Sequence, residues 1–196
     1  FKTEKDLVEG KCPDHNTVCE QIEEENYFFK LSKYSDRIKQ ALVEDEIQII
    51  PATRKQELIN FIDEGLQDLS FSRPEGVVPW GIPVPDTENQ MMYVWCEELS
   101  NYISALGYGR SDDENFKTFW PANVHVLGKD ILRFHAIVWP AMLLSAGLSL
   151  PKKILAHGMI ISGGKKMSKT IGNVIDPSEL IAEYDADTLR YYFARE

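Results

Sequence analysis

Val124-His125-Val126-Leu127-Gly128, then Lys129-Asp130, then an almost wholly apolar stretch over 131–146 ending at Gly147, then Ile154-Leu155-Ala156-His157: this succession decides the fold. The first and last pieces are short apolar runs of strand length. The middle one has the length of a helix, and glycines punctuate the joins. Two such strands joined by a helix form a parallel pair with a crossover. Continuous apolar strands imply a sheet covered on both faces. Pro140 lies inside the long helix and is expected to kink it.

Reading outward, Met91 to Trp95 is a further short apolar strand, and residues 97–106 form a helix stopped by Gly107. That makes an α/β chain with three parallel strands. Upstream, Arg73 to Pro85 holds four prolines and two glycines, which forbid a continuous element and mark a structured linker. Before it, Tyr34, Ile38 and Leu42 recur every four residues in a helix over about 33–45. Leu58, Phe61 and Ile62 mark a second helix over about 52–64, stopped by Gly65. Residues 26–29 and 66–72 read as short extended pieces, and residues 1–30 are otherwise polar. Downstream, Asp176 caps a helix with Pro177 first and Glu179 as reciprocal partner; another helix starts near Asp185 or Asp187.

The chain has 196 residues and a net charge of −10, which argues against a general nucleic-acid binder. The average hides a reversal, because residues 151–170 carry Lys152, Lys153, Lys165, Lys166 and Lys169 and no acid. A basic loop on an acidic body suits a focused anion such as a nucleotide phosphate, or is simply a solvated face. Three cysteines, Cys12, Cys19 and Cys96, make no disulfide framework and point to a reducing compartment. No apolar run approaches the ~18 residues of a membrane span. The chain opens on Phe1 rather than Met, which reads as an internal piece of a longer protein.

Ligands of open parallel sheets bind beyond the carboxyl ends of the strands. There stand Trp95, then Gly128-Lys129-Asp130, then His157-Gly158. Each has a plainer reading: Trp95 as core, Asp130 as a helix cap, His157 as a hydrogen-bonded edge residue. The long helix adds Ile131, Phe134, His135 and Trp139 on or near one face, a stripe that serves as core or as an aromatic pocket for a thioether. The sharpest signal is Gly163-Gly164-Lys165-Lys166-Met167-Ser168-Lys169-Thr170, one short hairpin past a parallel strand. Two lysines flanking a hydroxyl can wrap a triphosphate, and the Walker A pattern is absent.

Lys166-Met167-Ser168-Lys169-Thr170 resembles the Lys-Met-Ser-Lys-Ser signature of class I aminoacyl-tRNA synthetases, with Thr170 keeping the last hydroxyl. The stretches 24–31, Trp80-Gly81-Ile82-Pro83, Tyr93-Val94-Trp95, 128–131, Phe134-His135, 139–142 and Gly172-Asn173-Val174 resemble the methionyl branch of that family. The likeness covers essentially the whole chain. It implies a small α+β connective domain with a partial zinc knuckle over 1–85. The second half of a Rossmann-like catalytic domain would follow over 86–175, then the start of a helical stem-contact region over 176–196.

The implied activity is ATP-dependent formation of methionyl-adenylate, with Mg2+, and transfer to tRNA(Met) in the cytoplasm, with no membrane partner. The carboxylate of methionine attacks the α-phosphate in line and pyrophosphate leaves. By the same resemblance Trp95, Tyr102, Ile131, Phe134, His135 and Trp139 form the methionine pocket. Gly128, Asp130 and His157 lie on the adenosine side, with Ser168 also toward ATP, and Lys166 and Lys169 clamp the transition state.

The resemblance also places the family's His-x-Gly-His half before Phe1 and its anticodon-binding domain after Glu196. Glu98 stands where the family has a small residue. Cys12-Pro13-Asp14-His15 resembles the second half of a zinc knuckle; two ligands alone do not close a tetrahedral site. Synthetases with a large editing insertion fit poorly, since only about 85 residues precede the later strands. A non-catalytic RNA-binding or scaffolding derivative would be favoured by loss of the lysine loop, which is intact.

Overall fold

A parallel sheet of three strands organises one of the two compact units of the chain. The structure is a computed structural model and describes residues 7–13, 17–20, 23–167 and 172–195, with the Lys166 side chain left aside. In chain order its main elements are β1 (Phe28–Phe29), α1 (Ser35–Val43), β2 (Gln48–Ile50), α2 (Thr53–Asp63), β3 (Leu69–Ser70), β4 (Ser72–Pro74) and β5 (Gln90–Met92). There follow α3 (Val94–Ser104), α4 (Glu114–Phe119), β6 (His125–Gly128), α5 (Trp139–Ser145), β7 (Lys153–His157), β8 (Ile161–Ser162), β9 (Lys165–Lys166), α6 (Pro177–Tyr184) and α7 (Ala186–Arg195). They divide into two compact units, Phe1–Arg37 with Phe61–Trp120, and Ile38–Asn60 with Pro121–Glu196.

In the second unit the sheet order is β2-β7-β6, all parallel. Strands β6 and β7 and the crossover between them are as the sequence leads one to expect. The third strand is not. Met91 to Trp95 does not join this sheet: β5 pairs antiparallel with β4 in the first unit, and Trp95 sits in the first turn of α3. The parallel partner is β2, three residues between the acids at 44–46 and Pro51. A strand that short shows no periodicity, and it is held by Ile49 in the core and by its register, Ile49 opposite Ile154.

Burial alternates along these strands. Ile49, Leu127, Ile154 and Ala156 are buried, whereas Val126 is 65% exposed and Leu155 half-buried. This is the alternation of a sheet with one face packed and one open. The open face borders a cleft of about 500 Å³ lined by Val126, Leu155, His157 and Met159, with Tyr192 and Phe193 of α7.

The long apolar helix is three short pieces: a tight 3-10 turn over Lys129–Ile131, a π-helical segment over Phe134–Val138, then α5. Pro140 explains the widening. It has no N–H to give residue 136, and its ring would press on that carbonyl. The amide of Trp139 bonds instead to the oxygen of Phe134, five residues back, so the helix relieves the clash by a wide turn.

Both helices near the end start at the caps expected for them, Asp176 and Asp185. Asp176 accepts a 2.8 Å bond from the Ser178 amide and Asp185 a 2.7 Å bond from the Thr188 amide. Each bond holds its carboxyl below the usual range.

The first unit is built on two small antiparallel pairs, β1 with β3 and β4 with β5. Ser72, fully buried on β4, knots them: its hydroxyl accepts from the Tyr27 amide at 2.8 Å and donates to Gln90 Oε1 at 2.5 Å. Gln90 in turn donates to the Glu25 carbonyl.

Candidate functional site

At the carboxyl ends of β6 and β7, Gly128 pairs directly with His157. A Cβ at position 128 would stand 2.7 Å from Asp130 Oδ1 and 3.7 Å from His157 Cε1. Glycine is therefore required for the carboxylate to fold back against the strand end. The three residues expected on the adenosine side thus come together, with Asp130 and His157 exposed. His157 Nδ1 lies 2.8 Å from the Gly158 carbonyl. A carbonyl oxygen only accepts, so Nδ1–H is the donor in this contact.

His135 and Trp139 are fully buried, and Ile131 and Phe134 half-buried. His135 Nδ1 lies 3.0 Å from the Ile131 carbonyl, which fixes the ring with Nδ1–H as donor. Its ring also meets His125 edge-on, centroids 6.1 Å apart. His125 escapes the sequence reading, although its place two residues before the buried Leu127 puts it on the core face of β6. Burial, and then the neighbouring His135, push its pKa down to about 4.

Trp95 and Tyr102 belong to α3 in the first unit, both half-buried. Glu98 lies between them at helical spacing, and its Oε2 is buried with no hydrogen-bond partner among the described residues. Burial, and secondarily Glu98, raise the Tyr102 hydroxyl above its ordinary pKa.

The lysine-rich stretch begins as the expected hairpin. β8 pairs with β9, and Gly163 and Gly164 turn the chain with φ of 58° and 76°. Two successive positive φ values twist the way a two-residue hairpin needs, and glycine adopts them without strain. The backbone of Lys166 is thereby placed in β9, whereas Ser168, Lys169 and Thr170 lie outside the described residues.

Cys12 is buried, next to a tight turn in which Val8 and Lys11 exchange backbone bonds of 3.0 Å. His15 lies outside the described residues, and among those described no group of three metal-ligating side chains converges. The buried thiol suits a structural zinc, but it is one donor of four. No helix among the described residues is long and apolar enough to cross a membrane.

A family model described as tRNA synthetases class I (M) matches residues 2–196. The chain belongs to the class I (M) tRNA synthetase family. It is 51% identical over 196 residues to the methionine–tRNA ligase of Caldanaerobacter subterraneus, covering all of this chain and 30% of that protein. The Clostridium perfringens methionine–tRNA ligase is 52% identical over 197 residues, again all of this chain and 30% of the relative.

Among solved structures of this synthetase family, the Mycobacterium tuberculosis methionyl-tRNA synthetase in complex with methionyl-adenylate is similar with a TM-score of 0.85. It shares 42% identity across 98% of this chain and 38% of that one. The apo form of the same enzyme matches with a TM-score of 0.81 and 38% identity, over 100% of this chain and 38% of that one. The chain thus spans about 30% of the length of its curated relatives, and its parallel sheet is a piece of the class I synthetase catalytic fold.

Proposed function

We propose that the protein containing this chain joins methionine to tRNA(Met), forming methionyl-adenylate from ATP and releasing pyrophosphate. The observation that carries this reading is identity of about half, along the whole chain, with methionine–tRNA ligases. The grouping of Gly128, Asp130 and His157 at adjacent strand ends supports it, as does a glycine-turned hairpin leading into the lysine stretch.

In this reading Gly128, Asp130 and His157 hold the adenosine. Trp95, Tyr102, Ile131, Phe134, His135 and Trp139 hold the methionine side chain, whose sulfur packs well against rings. Lys166, Ser168 and Lys169 hold the phosphates. Attack on the α-phosphate puts charge on the departing pyrophosphate, where pre-placed cations lower the barrier. Mg2+ accompanies ATP, and the reaction takes place in the cytoplasm. Cys12 and His15 supply part of a structural zinc site in the full-length protein. The connective part runs over 1–85, the catalytic part over 86–175, and the start of the stem-contact region over 176–196.

The test is amino-acid-dependent pyrophosphate exchange by the full-length protein. Exchange with methionine is expected; exchange with isoleucine or leucine instead would overturn the reading. The isolated 196-residue stretch should give none.

A further inference from the structure

In the first unit a cleft of about 460 Å³ opens beside the loop that carries Trp80. Trp80 is 79% exposed, yet its loop is not loose. Val77 bonds back to Pro74, Gly81 to Val78, and the Met92 amide to the Ile82 carbonyl at 2.7 Å. Gly81 lets the loop close down, because a Cβ there would meet Met91 Cβ at 2.9 Å. A large aromatic side chain is thus presented to solvent by an ordered support, against the trend that large apolar side chains are buried.

The rest of the lining is chemically mixed. Arg73 lies with its guanidinium carbon 4.5 Å from the centre of the Tyr93 ring. Its Nη1 donates to the Ser70 hydroxyl at 2.7 Å and the Ser72 carbonyl at 2.6 Å, which fixes its plane. Met92, Val94 and Glu97 complete the wall. One cation and one carboxylate cancel, so the cleft has no surplus charge to draw a phosphate. An aromatic face, an apolar slot, a fixed guanidinium and an acceptor carboxylate instead suit a splayed-out nucleobase, which stacks on one surface and offers amino and ring-nitrogen edges to the others.

We propose that this cleft holds the base of an unpaired nucleotide at the 3′ end of the acceptor RNA, stacked on Trp80. The proposal rests on the function proposed above, which requires that end to reach the amino acid. Tyr93, Val94 and Glu97 of the cleft bracket Trp95 of the expected methionine pocket along the chain.

The experiment uses the full-length enzyme with Trp80→Ala and Trp80→Phe, measuring methionine-dependent pyrophosphate exchange and tRNA aminoacylation side by side. Trp80→Ala is expected to leave exchange within about twofold and to raise the KM for tRNA about tenfold, the usual scale of one lost base stack. Trp80→Phe should restore most of the affinity. An unchanged KM for tRNA in Trp80→Ala overturns the proposal, as does an equal fall in exchange and aminoacylation, which would assign Trp80 to activation or to folding. Absence of methionine exchange in the unmutated enzyme would instead overturn the proposed function itself.

Discussion

Gly128 and His157 face each other in register at the ends of two neighbouring parallel strands, and Asp130 Oδ1 occupies the space that a side chain on Gly128 would need. The strand end is therefore shaped by a side chain that is missing. In the full-length protein Gly128→Ala should displace Asp130 and lower adenylate formation by ~10²-fold, the scale of a misplacement of about an ångström. Thermal stability should change little, since Asp130 is exposed. Pyrophosphate exchange alongside a thermal melt checks this; full activity in Gly128→Ala would mean that Asp130 relaxes away without consequence.

Lys169 and His135 should act at different stages. Lys169 follows the paired glycines, so its contact can form late, as phosphates depart. Lys169→Ala should lower the rate of adenylate formation by ~10²–10³, with ATP affinity falling much less. His135 is fully buried and held by the Ile131 carbonyl, so it is preorganised. His135→Ala should chiefly weaken methionine binding. Single-turnover formation with separate ATP and methionine titrations decides. If Lys169→Ala weakens only ATP affinity and keeps the saturated rate, the lysine is a ground-state binder.

Stability should fall in mild acid because of His125. Its folded pKa is about 4 and the unfolded value about 6.5. Between these values the unfolded chain takes up the proton and the folded one does not. The contribution is therefore complete above about pH 6.5 and is lost as pH falls toward 4. After allowance for partial solvent screening it is about 2 kcal/mol, or roughly 5 °C in Tm for a chain of this size. Melts from pH 7 to 4.5 should show the drop, and His125→Gln should flatten it. An identical slope in that variant would assign the acid sensitivity elsewhere.

The crossover of β6 and β7 was legible because two strand-length apolar runs flank an apolar stretch of helix length, with glycines at the joins, and the terminal caps because Asp176-Pro177 and Asp185 act through local chemistry. Strand β2 was not, since three residues have no pattern and Ile49 gains its place only from Ile154 across the sheet. The Met91 to Trp95 run misled for a different reason: its apolar character suits either sheet, and pairing with Arg73 and Ser72 decides it. The π-helical turn follows from Pro140, but whether a proline bends or widens a helix depends on its packing. Of the candidate site, the residue types at the strand ends were readable. The meeting of His135 with His125 was not, because it depends on how the helix packs on β6; the His135 tautomer turns on a bond to the Ile131 carbonyl one turn back, which the residue types alone do not announce.

Cys12 and His15 should hold part of a zinc site in the full-length protein. The Cys12 thiol is already buried beside a hydrogen-bonded turn, a setting that suits a closed structural centre. One equivalent of zinc is expected by elemental analysis, and the Cys12→Ala, His15→Ala double variant should lose it. Zinc content unchanged in that variant, or no zinc in the unmutated protein, would remove the site.

Glu98 is the residue of α3 most out of keeping with its surroundings. Its Oε2 is buried and has no hydrogen-bond partner among the described residues, so desolvation of that oxygen is uncompensated. An unsatisfied buried polar atom costs roughly 1–3 kcal/mol. Glu98→Ala removes the atom and suits a helix interior, and the bond from Asn101 Nδ2 to the Glu98 backbone carbonyl survives the change. The variant should therefore melt higher, by roughly 3 °C for each kcal/mol recovered. It should also lower the pKa of Tyr102, because Glu98 is the second cause of its elevation, while burial keeps it above its ordinary value. Trp95, Glu98 and Tyr102 share one stripe of the helix by spacing, so the methionine side of the full-length enzyme should respond too, with a KM for methionine lower by a few-fold. Spectrophotometric titration of the tyrosines, a thermal melt and a methionine titration read the three effects independently. A lower Tm in Glu98→Ala would show that the carboxylate has a stabilising partner in the full-length protein, and an unchanged KM would remove Glu98 from the edge of the methionine pocket.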